Sequence, residues 1–207
     1  MINDRNIEQF LDDLASKSPT PGGGSVAAIM GAMGAALVSM VCNLTLGKPA
    51  YAAVEGDMQQ MLEQAEGLRT QLAGMVRADV DVFDQVMAAY RLPKASDEEK
   101  QLRAQNIQAA LKAATDVPLA CARLCVGVMQ LSRQAAELGN QSVVTDAGVA
   151  VVSAYAALRS ATLNVRVNAA GIRDEVFVSE RLAELGQILA GAEVLDAEVY
   201  AKVLERL

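Results

Sequence analysis

Between Lys17 and Lys48 the chain carries no charged residue, and this stretch, PTPGGGSVAAIMGAMGAALVSMVCNLTLG from Pro19 to Gly47, constrains the fold more than any other. The three glycines Gly22, Gly23 and Gly24 open what reads as a long helix over about 23–46, with Ser25 able to help cap it. Gly47 ends it and Pro49 prevents its continuation. Two rows of small residues run along it at i, i+4 spacing. One is Gly23, Ala27, Gly31, Ala35, Ser39 and Asn43; the other is Gly24, Ala28, Ala32 and Ala36. Small side chains let neighbouring backbones come close. Ile29, Met30, Met33, Leu37, Met40 and Leu44 stand between the rows, so the helix is apolar nearly all round and must be buried on nearly all sides. A run of this length can also cross a bilayer. Against that reading, it stands as the only such run, has no Trp/Tyr belt, and is rich in Ala and Gly rather than Leu, Ile and Val. The central helix of a soluble bundle, shared with a second subunit, is the preferred expectation, with no membrane partner.

Composition narrows the class. With 52% hydrophobic but only 3% aromatic residues, the core must be built from Ala, Leu, Val and Met, which suits packed helices better than strands. A length of 207 residues is enough to bury a real core. The net charge of −7 argues against nucleic acid or an acidic lipid surface as a partner. Histidine is absent, which excludes a His-based triad, a His-ligated metal and a His general base. Any proton transfer falls to Asp, Glu, Lys, Tyr or Cys. The three cysteines are Cys42, Cys121 and Cys125; no His or nearby third Cys completes a metal set, and free thiols point to a reducing cytoplasm. The opening MINDRNIEQF is acidic and amphipathic and does not read as a signal peptide.

Periodicity predicts the other helices. Ile7, Phe10, Leu11 and Leu14 give a first amphipathic helix over 4–16. KPAYAAVEG reads as a loop or a short broken helix. A long third helix runs over 57–91 on a seam that alternates three and four: Met58, Met61, Ala65, Leu68, Leu72, Met75, Asp79, Val82, Val86. Ser96-Asp97-Glu98-Glu99 is a capping box that starts a fourth. Pro118 should kink or split that helix, with Thr115 or Asp116 capping the second piece. A fifth helix is expected over 142–170, another from about 174 to 189, and a short last one near 193–206. The expected fold is all-α, a single domain (1–207) of long antiparallel helices.

Asp79 is the sharpest anomaly, because it occupies a seam position where an apolar residue belongs; Asp81 and Asp84 fall off the seam. A carboxylate desolvated in a bundle has a raised pKa and can serve as general acid or base near neutral pH. The plainer alternative is a buried Asp satisfied by an Arg or by a helix N-terminus. The PGGGS turn can bring backbone N–H groups against a ligand, or merely admit a neighbouring helix. Arg91 and Lys94 in RLPK offer a positive site for a carboxylate tail, or a solvated helix end. Asp146, in GNQSVVTDAGVA, is either a helix cap or a second site carboxylate. Asn164 and Asn168 share a helix face and can hydrogen-bond a heterocycle, or simply satisfy backbone.

SPTPGGGSVAAIMGAMGAALVSMVCNLTLGK, VRADVDVFDQVMAAYRLPK, VPLACARL, GNQSVVTDAGVA and TLNVRVNAAGI together resemble, in order and over nearly the whole chain, the formimidoyltetrahydrofolate cyclodeaminase and methenyltetrahydrofolate cyclohydrolase family. The resemblance implies an all-α homodimer that acts on a reduced folate without metal or nucleotide cofactor. It places the family's proposed catalytic aspartate on Asp79, with Asp81 as the fallback. It also implies that Gly22, Gly23, Gly24, Ser25, Lys94 and Asp146 border the folate pocket. It does not choose between the two activities. A stand-alone domain tilts slightly towards the hydrolase, because no fused transferase supplies formimidoyl-folate. The alternatives are a non-catalytic helical folate-binding or dimerisation module and a membrane-associated bundle.

Overall fold

The computed structural model describes residues 6–207, and those residues form six α-helices joined by turns, with no strand among them. They are α1 (Ile7–Leu14), α2 (Gly23–Asn43), α3 (Glu55–Arg91), α4 (Asp97–Leu138), α5 (Val144–Ala169) and α6 (Glu175–Glu205). The expected first helix over 4–16 is shorter. It starts after Asn6, whose side chain accepts the Gln9 N–H at 2.8 Å while Gln9 reaches back to the Asn6 N–H. Residues 4 and 5 of that expectation, and the start of MINDRNIEQF, lie outside the described residues. The KPAYAAVEG stretch becomes a 3₁₀ turn, Pro49–Val54, running straight into α3.

The small-residue rows explain why α2 is the axis of the bundle. A Cβ on Gly34 would lie 2.9 Å from the Ala150 carbonyl oxygen of α5, and one on Gly31 would lie 3.0–3.1 Å from Leu72 of α3 and Cys125 of α4. Hydrogen in place of a methyl therefore sets how closely three helices approach α2. Ala27, Ala28, Ala35, Val38 and Val41 are fully buried there, but the second row turns outward along its length, from buried Ala28 to exposed Ala36. α2 runs antiparallel to α3, as Gly24 meets Asp79 and Gly31 meets Leu72, and to α5, as Gly23 meets Asn164 and Gly34 meets Ala150.

Two expected breaks are absent. α4 continues unbroken through Pro118. Proline supplies no N–H to the carbonyl four residues back, that of Ala114; the Asn168 side chain of α5 donates to it instead, at 2.6 Å. Thr115 and Asp116 are not caps: Thr115 bonds the Leu111 carbonyl, and Asp116 pairs with Arg181 at 2.7 Å. α6 likewise runs through Gly186 and Gly191, held by Leu185, Ala192, Val199 and Val203 on its buried side. A ladder of ion pairs, Lys112–Asp174, Asp116–Arg181, Arg123–Glu184 and Glu137–Lys202, joins α4 to α6, and its ascending numbers show that these two run parallel.

Three helical stretches are long and apolar enough to cross a membrane by length and composition, Gly23–Asn43, Asp97–Leu138 and Gln141–Ala169, so the central run is not alone in this. All three pack against one another in the bundle.

Candidate functional site

α2 has 21 residues whereas α3 and α4 have 37 and 42, so α2 stops partway along its neighbours. Its N-terminus lies level with Asp79 of α3. Beyond that level α3, α4 and α5 continue without it. A second small cluster, Ala89, Ile107 and Leu111 with Val86 and Ile172, closes the far end. At the intervening level Val82, Ala113, Val117 and Asn164 are only half buried. Above the glycine turn these helices thus lack α2 as a neighbour, a consequence of unequal helix lengths. The partial positive charge of the α2 N-terminus lies at this level.

Asp79 sits at this point, half buried. Ser25 is not a cap of its own helix. Gly22 is the N-cap and contributes no side chain, while the Ser25 hydroxyl donates to Asp79 Oδ2 at 2.8 Å. The Ser25 backbone N–H also bonds this carboxylate. Asp79 thereby satisfies one of the orphan donors in the first turn of α2 from across the bundle. Burial pushes its pKa above the usual aspartate range, and the two Ser25 hydrogen bonds offset only part of that rise. Gly24 makes the arrangement possible, because a Cβ there would lie 2.0 Å from Asp79 Oδ1. Gly23 and Gly22 are not required in this way; their nearest neighbours to an added Cβ are Asn164 Nδ2 at 3.9 Å and the Pro19 carbonyl oxygen at 3.6 Å.

Below Asp79 a crevice lined by Gly24, Ala27, Met75, Pro118, Cys121 and Ala161 holds about 10 Å³, room for a single water at most. The crevice is too small for a ring-sized ligand. Cys121 and Cys125 are buried neighbours in α4, and burial pushes the Cys42 thiol up to about 11, so none of the three is a ready nucleophile. No group of three or more Cys, Asp or Glu side chains able to hold a metal occurs among the described residues.

The structure brings together Asp79, Gly22, Gly23, Gly24 and Ser25, with Asn164 beside them, but not Asp81, Lys94 or Asp146. Asp81 is turned outward into a 2.7 Å ion pair with Arg77, and Asp84 is exposed. Lys94 lies exposed in the loop after α3, beyond Arg91, which is twelve residues or about 18 Å of helix from Asp79. Asp146 is in the first turn of α5. Since Gly24 marks the Asp79 level and Gly34 the Ala150 level, Asp146 is more than about 15 Å away along α2 within one chain. Its neighbour Asn140 is structural: buried, it donates its side-chain amide to the Leu44 carbonyl and its backbone N–H to Thr45. Asn164 borders the glycine turn, a position that the shared-face argument left open.

Comparison with known proteins agrees with this architecture. The formiminotransferase-cyclodeaminase family profile matches residues 6–187. A methenyltetrahydrofolate cyclohydrolase of Methylorubrum extorquens is 59% identical over the full length of both chains. The formimidoyltransferase-cyclodeaminase of Rattus norvegicus is 30% identical over 98% of this chain, which spans 38% of that longer protein. The crystal structure of formiminotetrahydrofolate cyclodeaminase from Thermotoga maritima superposes with a TM-score of 0.84 at 31% identity, covering 100% of this chain and 98% of that one. With a profile match over most of its length and a full-length relative at that identity, this chain belongs to the formiminotransferase-cyclodeaminase family.

Proposed function

We propose that this protein is a folate one-carbon enzyme, a methenyltetrahydrofolate cyclohydrolase in which Asp79 is the general acid/base. The observation that carries the reading is a half-buried carboxylate of raised pKa, held against the first turn of α2 by Ser25. The full-length relative named for this activity supports the hydrolase over the deaminase. In the reaction, water attacks the cationic carbon that bridges N5 and N10, and ionised Asp79 takes its proton. The neutral carbinol then collapses. The C–N5 bond breaks, Asp79 returns the proton to N5, and the hydroxyl proton leaves to solvent, giving 10-formyltetrahydrofolate and one net proton. The substrate's own cation supplies the electrophile, so one carboxylate suffices and neither metal nor nucleotide enters the step. The negative charge also favours binding of the methenyl cation.

Cyclodeamination uses the same parts, with N10 as nucleophile and ammonia as leaving group, and the Thermotoga maritima structure keeps that reading in view. The loss of near-ultraviolet absorbance of 5,10-methenyltetrahydrofolate measures the first activity; ammonia release from 5-formimidoyltetrahydrofolate measures the second. Asp79→Asn is expected to keep the fold and lower turnover about 10²–10⁴-fold. Unchanged turnover in this variant removes Asp79 from the mechanism. A folate lying over the glycine turn would point its glutamate tail along α3 towards Arg91 and Lys94.

The reading extends to a homodimer in a reducing cytoplasm, without nucleic-acid or membrane partner. The three free buried thiols suit such a compartment. Along α2 and α5 a stripe of apolar side chains faces outward, with Met33 55%, Val149 55%, Leu163 70% and Val167 68% exposed. Such a stripe suits a second copy of the chain. In this reading Asp146 meets a glycine turn only across that contact.

A further inference from the structure

We propose that Asn164 is a substrate-orienting residue, its side-chain amide pairing with the lactam edge of the pterin ring while Asp79 works on the bridge carbon. The inference rests on the folate reading above and adds a residue to it.

Asn164 and Asn168 are one turn apart on α5, but their duties differ. Asn168 is committed to the Ala114 carbonyl that Pro118 leaves without a donor. Asn164 donates only to the Ser160 carbonyl of its own helix, at 3.0 Å, and its Oδ1 has no partner among the described residues. It is half buried beside the glycine turn and touches no other element through a hydrogen bond. A methyl at Gly23 would come 3.9 Å from its Nδ2, and a methyl at Gly24 would run into the Asp79 carboxylate. These two glycines are consecutive, with Cα atoms about 3.8 Å apart. The amide and the carboxylate therefore flank the same first turn of α2 from α5 and α3.

The substrate's geometry matches that spacing. In 5,10-methenyltetrahydrofolate the reacting carbon is bonded to N5, and the C4 carbonyl is the ring substituent beside N5, followed by N3–H. A ring with its bridge carbon at Asp79 carries this C=O/N–H pair alongside. An asparagine amide has two donor hydrogens and an acceptor oxygen. One N–H can stay on Ser160, the other donates to O4, and Oδ1 accepts from N3–H, so every group is satisfied. A site that reads such an edge rejects a ring whose donor and acceptor are reversed, because its polar groups are then left unpaired.

The test compares the wild-type protein with Asn164→Ala. The expected result is a KM for 5,10-methenyltetrahydrofolate raised about tenfold or more, with kcat changed less. Thermal stability should be nearly unaltered, as only a bond within α5 is lost. The second readout is selectivity: wild type should bind reduced 4-oxo folates well ahead of their 4-amino counterparts, and the variant should narrow that ratio. Asn164→Leu, of similar volume, gives the same readouts should the alanine variant lose its fold. A wild-type protein that turns over the substrate, with KM and 4-oxo/4-amino selectivity unchanged in the variant, overturns the role of Asn164 and leaves the folate reading standing. A folded wild-type protein that neither binds nor converts reduced folates overturns both.

Discussion

At the scale of single residues, the site depends on one missing methyl. Gly24 is the position where a Cβ would collide with the Asp79 carboxylate, whereas an alanine at Gly23 would make only ordinary contact with its neighbours. Gly24→Ala is therefore expected to behave in the absorbance assay like Asp79→Asn, with activity down about 10²-fold or more, while Gly23→Ala retains the thermal stability of the parent. Equal loss of fold in both would show that the turn tolerates no side chain for reasons unrelated to Asp79. The raised pKa of Asp79 has a pH consequence whose sign follows from linkage. Folding favours its protonated form, so its contribution to stability is fully present below the ordinary aspartate value of 3.8 and is lost as pH rises through the higher folded value. Asp79→Asn should remove that decline, which melting curves taken from acid to neutral pH would record. Activity should run the other way, rising with pH through the same folded value as the base ionises. Asp79 was legible as a seam violation. Its partner Ser25 was misread as a cap, because a bond between residues 54 apart leaves no local pattern.

At the scale of helices, α4 shows how a neighbour overrides local grammar. Proline inside a helix frees a carbonyl, and a buried carbonyl without a donor costs about 1–3 kcal/mol. Here the carbonyl of Ala114, a buried residue, takes the Asn168 amide instead. Asn168→Ala should destabilise the protein by about that amount in denaturant melts. Adding Pro118→Ala, which restores a backbone N–H, should recover part of the loss. Additive costs in this double-mutant cycle would show that the two residues are not coupled. The same override explains α6, which was expected as two helices, 174–189 and 193–206, and is one despite Gly186 and Gly191. The buried residues Leu185, Ala192 and Val199 recur every seven positions and keep one face on the bundle, and that packing outweighs the glycine penalty.

At the scale of the whole molecule, the outward apolar stripe of α2 and α5 bears on assembly. The protein is expected to elute at twice its chain mass in size-exclusion chromatography with light scattering, and Leu163→Glu, at a 70% exposed position, to shift it towards monomer without lowering helical content. A wild-type protein that runs as a monomer would leave Asp146 outside the pocket. The placement of Asp146 and Lys94 shows the reach of motif matching. Both sit in segments that match the family pattern, yet within one chain neither lies near Asp79.

Helical class, most helix boundaries, the uncharged axis and the misplaced Asp79 were all present in the order of the amino acids, because periodicity and small-residue spacing are local and repeat every turn. Which side chain meets the glycine turn, why Pro118 does no damage, and where α2 stops against its neighbours were settled by packing. Those facts depend on α2 being shorter than the helices around it and on contacts between residues more than fifty positions apart, and distance along a chain carries no record of such neighbours.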